Sequence, residues 1–465
     1  MNEPLKVKLF SIYGQILNTK TLTAAWEHVK SNKGCGGVDG VSIKDFDKNA
    51  AVNIEALRLE LVNKTYKPSP VQRRFIPKKN GKMRPLGIPT IKDRIVQQAL
   101  VDRLQPFFEV NVFNDHSYGF RPKRSVQTAI EQVLRNLEWG CTYIYDFDIK
   151  GFFDNIPHKK LMKVLNKYIS DGTVLDIIWR SLKAGYMLDD VLYETPSGTM
   201  QGGVISPLLA NIYLNELDWE LEKAGLNAVR YADDSIVMCK TPEELEKAKA
   251  VVGRVLLELG LELAPDKTHD VDFYQDDFEY LGFVFRHLHY RRDGELRYYV
   301  GPSNKSVDKF RGDVKGKTCK TFSKSFEEWS EALNPVIRGK INYFLISVKA
   351  CMAVRREWYA MGGDFHGVPV KGLYRELDGY IRQRLRVNFA NRGKRHAKFK
   401  DGMMLNLKYN NEFFVKTMKL VSGDFLYQSM FNSKLTADLY LSRIKRAPRR
   451  RTPQSERYFY YASRR

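Results

Sequence analysis

Cysteine pairs are missing from this chain. Its five cysteines, Cys35, Cys141, Cys239, Cys319 and Cys351, stand singly with no C-x-x-C spacing. That excludes a disulfide framework and a zinc-ribbon site, and it fits a reducing compartment. Long apolar runs are missing too. None approaches the ~20 residues of a membrane helix, and the opening MNEPLKVKLFSIYG has no signal core. The expectation is a soluble intracellular protein without a membrane partner. The eight histidines are dispersed, with His366 and His396 expected at the surface, and no segment repeats. Acid is scarce: 54 Asp and Glu face 76 Lys and Arg, a formal charge of +22. A charge of that size favours a polyanionic partner, and nucleic acid is the usual one.

What is present organises into zones. A chain of 465 residues suits two or three domains, and 43% hydrophobic with 12% aromatic residues is enough to fill their cores. Residues 1–75 mix helical patterns such as NIEALRLELV (53–62) with the glycine-rich turn NKGCGGVDG (32–40). Residues 76–285 alternate strand and helix signals. From about 286 the sequence turns basic and helical; in 326–346, Trp329, Leu333, Ile337, Ile341 and Phe344 recur at helical spacing. Residues 443–465 hold nine Arg or Lys and one acid, and read as a polyanion-binding tail or a disordered end.

The chemistry concentrates in two stretches. In AVRYADDSIVM (228–238), Val229 and Tyr231 alternate before the acids and Ile236 and Met238 after them. This period of two on both sides predicts a tight hairpin with a two-residue Asp233-Asp234 connection. An isolated Asp-Asp is an ordinary polar turn. In YIYDFDIKGFFDNIPH (143–158), however, the alternation predicts a strand ending near Gly151, with Asp148 at its C-terminal end. Three carboxylates converging from a strand end and a hairpin repel one another unless cations lie between them. Hard divalent ions, Mg²⁺ above all, take such oxygen ligands. Two of them can activate an attacking hydroxyl and stabilise a departing pyrophosphate.

With these residues in view, the chain resembles the bacterial group II intron type of reverse transcriptase. The resemblance runs in order through NKGCGGVDG (32–40), TYKPSPVQRRFIPKKNGKMRPLGIPTIKDRIVQQAL (65–100), SYGFRPKRS (117–125) and DIKGFFDNIPH (148–158). It continues through GTMQGGVISPLLANIYL (198–214), YADD (231–234), LAPDKT (263–268), FEYLGFVF (278–285) and LNPVIRGKINYF (333–344). It implies an α+β right-hand polymerase with fingers, a palm of antiparallel sheet plus helices, and a helical thumb. The implied division is an N-terminal extension with fingers (1–110), a palm with interleaved fingers elements (111–285), a helical thumb or maturase-like domain (286–400) and a basic nucleic-acid-binding region (401–465).

The resemblance also assigns residues. Asp148, Asp233 and Asp234, with the backbone of Ile149, hold two Mg²⁺ ions, Mn²⁺ being an alternative; Asp154 reads as structural. Lys78 and Arg84, on a hairpin with Lys79 and Lys82 around Asn80-Gly81, grip the triphosphate. Phe152 and Phe153 belong to the nucleotide site or to the core, with Phe153 the gate beneath the incoming sugar. Gln201 and Gly202 let backbone approach the nucleotide, with Met200 where the family usually has proline. Lys267 is the general acid for pyrophosphate or else a surface lysine. Arg121, Arg338, Tyr343, Arg449, Arg450 and Arg451 meet nucleic acid. The implied activity is RNA-directed DNA synthesis from dNTPs on an RNA template–DNA primer duplex, in the bacterial cytoplasm, with binding of a structured intron or non-coding RNA and a maturase role. Alternatives are a relative working outside an intron, in antiviral defence, CRISPR adaptation or DNA repair, and an RNA-binding splicing factor with idle catalysis. Beyond residue 387 the resemblance thins, and no Cys/His cluster of the family's HNH-type nuclease follows.

Overall fold

The computed structural model describes residues 8–77, 81, 83–199, 202–288, 297–319, 324–390, 406 and 408–446. The chain divides into two compact units, Met1–Asp276 and Asp277–Arg465. In chain order the strands of the first unit are β1 (Val71–Pro77), β2 (Met83–Ile88), β3 (Tyr143–Phe147), β4 (Tyr186–Leu188), β5 (Val191–Tyr193), β6 (Asn227–Tyr231), β7 (Asp234–Cys239) and β8 (His269–Asp272).

They form two sheets. One has the order β2-β1-β4-β5, and its β1–β2 hairpin is antiparallel, with Pro77 opposite Met83. The expected hairpin is therefore present. Its five-residue link contains Lys78, Lys79 and Lys82, which lie outside the described residues. The other sheet, β6-β7-β3-β8, is antiparallel throughout.

Helices cover this second sheet, and their sequences explain their limits. For helix Pro242–Leu259, the Thr241 hydroxyl accepts the Glu244 N–H at 3.2 Å, Pro242 opens the first turn, and Glu243 and Glu244 meet the positive end of the helix dipole. Leu245, Ala248, Val252, Val255, Leu256 and Leu259 are buried at three- and four-residue spacing, and Gly260 stops the helix in the left-handed region. Each fully buried leucine here contributes roughly 1.5–3 kcal/mol. Helix Ser206–Lys223 is buried on most sides and lies against helix Pro242–Leu259 and strand β6.

The second unit begins with strands. β9 (Phe278–Tyr280), β10 (Phe283–Leu288), β11 (Arg297–Pro302) and β12 (Gly367–Pro369) make a sheet ordered β12-β11-β10-β9. Strand residues thus extend to Pro302 in a zone expected to be helical from 286. The reason is that Tyr298 and Val300 bury one face of β11 in a period of two. The long helix Phe326–Ala360 does form, opened by a reciprocal Ser325–Glu328 capping box, and Trp329, Leu333, Ile337, Ile341 and Phe344 are all buried. Nearby, the buried Asp378 carboxylate accepts from the Gly423 N–H at 2.7 Å and the Ser422 hydroxyl at 2.5 Å, fastening the start of helix Gly423–Ser429. Among the described residues no helix is long and apolar enough to cross a membrane.

Candidate active site

The centre of the site is where β3 ends and the β6–β7 hairpin turns. Asp148 follows β3 directly. Its backbone is pinned by residues 262–264: Ala264 N–H donates to Asp148 O at 2.8 Å and Lys150 N–H to Glu262 O at 2.9 Å. Ile149 faces Leu263 in this bridge, whose two hydrogen bonds leave the Ile149 carbonyl outside the pairing.

The hairpin forms as expected, but its turn is set one residue earlier. Tyr231 pairs with Asp234, so the two connecting residues are Ala232 and Asp233, and Asp234 already belongs to β7. Ala232 takes a φ of +61°, placing the positive φ at the first turn residue, as in a type II′ turn. The two acids therefore leave the backbone from different local geometries, one from the turn and one from the strand.

The electrostatics of the site fit a cation-holding role. Burial, then repulsion from Asp148, raises the carboxyl of Asp233, while Arg84 and Lys267 oppose the rise. Asp234 keeps one edge open to water. Even so, desolvation by the strands behind it, followed by repulsion from Asp233 and Asp148, pushes its carboxyl up to about 6. A further acid, Asp146, lies two residues before Asp148 on the same face of β3, opposite Ile236 and His269. Burial first, opposed by His269 and reinforced by Asp234 and Asp148, pushes it up to about 6 as well. Its i, i+2 spacing from Asp148 was a signal available in the sequence.

Lys267, on a short 3-10 turn, forms an ion pair with Asp148 that raises its own pKa. Among the described residues no three His, Cys, Asp or Glu side chains form a ready metal cluster. Mg²⁺ needs none, since it keeps waters and binds through one or two carboxylates plus substrate phosphates. The all-oxygen donors, their mutual repulsion and the ammonium already resting on Asp148 fit such an ion.

The structure separates the other expected residues. Arg84 is exposed on β2 and close enough to stabilise the Asp233 carboxylate. Phe153 is half-buried and meets Phe152 edge-on, at 5.3 Å between ring centres. Phe152 is 2% exposed within the main core, which corrects its reading as a nucleotide contact. Gly202 has a φ of +110°, and a Cβ there would lie 2.3 Å from Gly87 O. The backbone it approaches is that of β2. Gln201 and Met200 lie outside the described residues, as do Arg449, Arg450 and Arg451.

Arg121 is also corrected. Its guanidinium is buried, paired with Glu109 at 3.0 Å and donating to Asn114 O and Ser117 O, so it serves the protein framework and not a surface contact. In the second unit, Arg338 is exposed on helix Phe326–Ala360. Tyr343, on the same helix, donates to Leu281 O at 2.6 Å and stacks on Phe283, which holds its ring half-buried.

Two supports escaped the sequence reading. Gln97, buried on helix Ile91–Asn111, accepts the Val204 N–H at 2.9 Å and steadies the loop after Gly202. His158 donates to Gly198 O at 2.8 Å, while Thr199 N–H donates to Phe153 O at 2.7 Å, so the turn carrying Phe153 is laced to loop 197–199.

A family model described as reverse transcriptase (RNA-dependent DNA polymerase) matches residues 76–285. Protein YkfC of Escherichia coli (strain K12) is 36% identical over 285 residues, covering 53% of this chain and 74% of YkfC. Group II intron-encoded protein LtrA of Lactococcus lactis subsp. cremoris is 42% identical over 208 residues. That stretch is 44% of this chain but only 34% of LtrA. Among solved structures, a chain of the partial Cas6-RT-Cas1–Cas2 complex is 22% identical, covers 54% of this chain with 42% of its own length, and has a TM-score of 0.35.

Proposed function

This chain belongs to the reverse transcriptase family, in its group II intron-type branch, and from that premise we propose that it extends a DNA primer on an RNA template with the help of two Mg²⁺ ions. The observation that carries the reading is the mutual repulsion of Asp148, Asp233 and Asp234 at the end of β3 and one hairpin turn, with Lys267 acting on all three and Arg84 on Asp233. Bound divalent ions would supply positive charge between the primer 3′-hydroxyl and the triphosphate, helping one to attack and pyrophosphate to leave.

The chain's own residues do the rest. Asp148, Asp233 and Asp234, with the Ile149 carbonyl, present the oxygens. Arg84 takes triphosphate oxygens, and Lys78 and Gln201 add further donors. Phe153 limits the space under the sugar. Lys267 keeps its proton while paired with Asp148 and can pass it to pyrophosphate once that pairing is broken. Arg338 and the basic segment containing Arg449, Arg450 and Arg451 meet phosphates of the template–primer and of a structured RNA, the basis for a maturase role.

The test is extension of a DNA primer annealed to RNA, with dNTPs and Mg²⁺. The expected result is full extension by the wild type, loss on chelation, and at least an about 100-fold loss in Asp148→Asn, as removal of a transition-state contact gives. Extension by that variant within tenfold of wild type overturns the assignment.

A further inference from the structure

The hairpin that presents Asp233 has an unexpected residue at its bend. The first position of a type II′ turn favours glycine, because other residues are strained at positive φ. Here it is alanine, at +61°. Something must hold it there, and two supports do so.

One is a backbone: a Cβ on Gly119 would lie 2.4 Å from Ala232 N, so Gly119 abuts the turn directly. The flanking chain is fixed by Arg230 N–H donating to His116 O and Tyr118 N–H donating to Arg230 O, both at 2.8 Å. The other support is the side chain of Arg230, 1% exposed. Its Nη1 donates to Ala232 O at 2.9 Å and to Asn211 Oδ1 at 3.1 Å. Its Nε and Nη2 grip Asp218, itself 1% exposed, at 2.7 and 2.5 Å. Asn211 also donates to Gly119 O at 2.8 Å, joining the two supports. Asn211 and Asp218 are seven residues apart on helix Ser206–Lys223, so one helix face carries both partners.

We propose that Arg230 is a positioning residue for catalysis: anchored by Asp218, it holds the carbonyl of Ala232 and thereby fixes the strained turn that aims Asp233. The fork geometry of arginine is required, since one edge binds the carboxylate while the remaining nitrogen reaches the turn. A lysine keeps the charge but cannot satisfy both. The proposal rests on the reading of Asp233 as a catalytic carboxylate, so Asp233→Asn is measured in parallel.

The experiment uses the full chain in single-nucleotide extension, with kcat and KM for dNTP and the melting temperature recorded. Arg230→Lys should lower kcat by about 100-fold, the scale of a 1 Å misplacement, with KM for dNTP within threefold of wild type. Adding Ala232→Gly should recover at least a tenfold part of that loss, because glycine adopts the positive φ without an anchor. The paired replacement Arg230→Met with Asp218→Leu removes the buried ion pair as a unit, a change that well-packed cores tolerate. It should keep the melting temperature near wild type and lose kcat as Arg230→Lys does.

Wild-type kcat in either folded variant overturns the proposal, as does a kcat loss that Ala232→Gly leaves untouched. Should Arg230→Lys and the paired variant both fail to fold, Asn211→Ala, which removes one of the guanidinium's neutral partners, must lower kcat without raising KM or the proposal falls. If Asp233→Asn extends primers normally, the reading of Asp233 has failed and not the geometry of the turn.

Discussion

Two antiparallel hairpins of the first unit carry residues of the proposed site, and they are made in opposite ways. In β6–β7 the strands are buried along most of their length, the turn has two residues, and side chains and backbone from below clamp it. In β1–β2 the strands become exposed toward the tip and the link has five residues. The first presents carboxylates and the second cations. Oxygen ligands for a small hard ion demand fixed geometry, whereas cations that grip a flexible triphosphate benefit from reach. The burial of one hairpin and the exposure of the other fit the chemistry proposed for each.

Lengthening each turn by one glycine should separate the two hairpins most. Inserted between Ala232 and Asp233, it should abolish extension to at least the roughly 100-fold level that a 1 Å misplacement causes, read in the RNA-templated assay. Inserted after Gly81, it should leave kcat within tenfold. Equal losses at both sites would show that the two hairpins work to the same tolerance.

Next in size, Arg84→Ala should raise KM for dNTP by about 10–100-fold, corresponding to a charge-assisted hydrogen bond of roughly 1.5–3 kcal/mol, while kcat changes less. An unchanged KM would remove the cationic hairpin from the nucleotide site. Phe153→Ala should lower the preference for deoxyribonucleotides over ribonucleotides by about tenfold in kcat/KM, since an open pocket no longer rejects the extra hydroxyl. An unchanged ratio would assign Phe153 to the core beside Phe152.

The smallest effect is on stability. In the folded protein the Asp146 carboxyl is pushed up to about 6 from its ordinary 3.8, so folding favours its protonated form. Its contribution is most favourable below about pH 4 and is lost as pH rises through 6. Asp146→Asn, which stays neutral, should therefore melt higher than wild type at pH 7 in chelator, with the difference vanishing near pH 4. A difference of the opposite sign, or one that does not depend on pH, would show that the acid is not held at a cost.

The sequence made the acids easy to find because a strand's alternation and a short polar turn are local signals. Asp148, Asp233 and Asp234 are legible from their neighbours alone. The exact bend was not, because nothing about Ala232 advertises a positive φ. Arg121 and Phe152 misled for a related reason: charge and aromaticity say what a side chain can do, but burial decides whether it meets a ligand. The Arg230–Asp218 pair and the His158 contact with Gly198 join a strand to a helix and a helix to a loop, and no periodicity links such partners. In the second unit the long amphipathic helix was plain from its spacing. Strand β11, short and bordered by basic residues, was hidden in a zone whose composition suggested helix.

Asp378 has a consequence for anyone trimming this protein. Its carboxylate is buried, and it is satisfied by the hydroxyl of Ser422 and the amides of Gly423 and Asp424, with Arg382 at 3.4 Å. A chain cut before Ser422 would leave that acid with Arg382 as its remaining charged partner and would also remove the helix that packs on Ile341 of the long helix. A truncation before Ser422 would therefore take away the groups that both cover and satisfy Asp378.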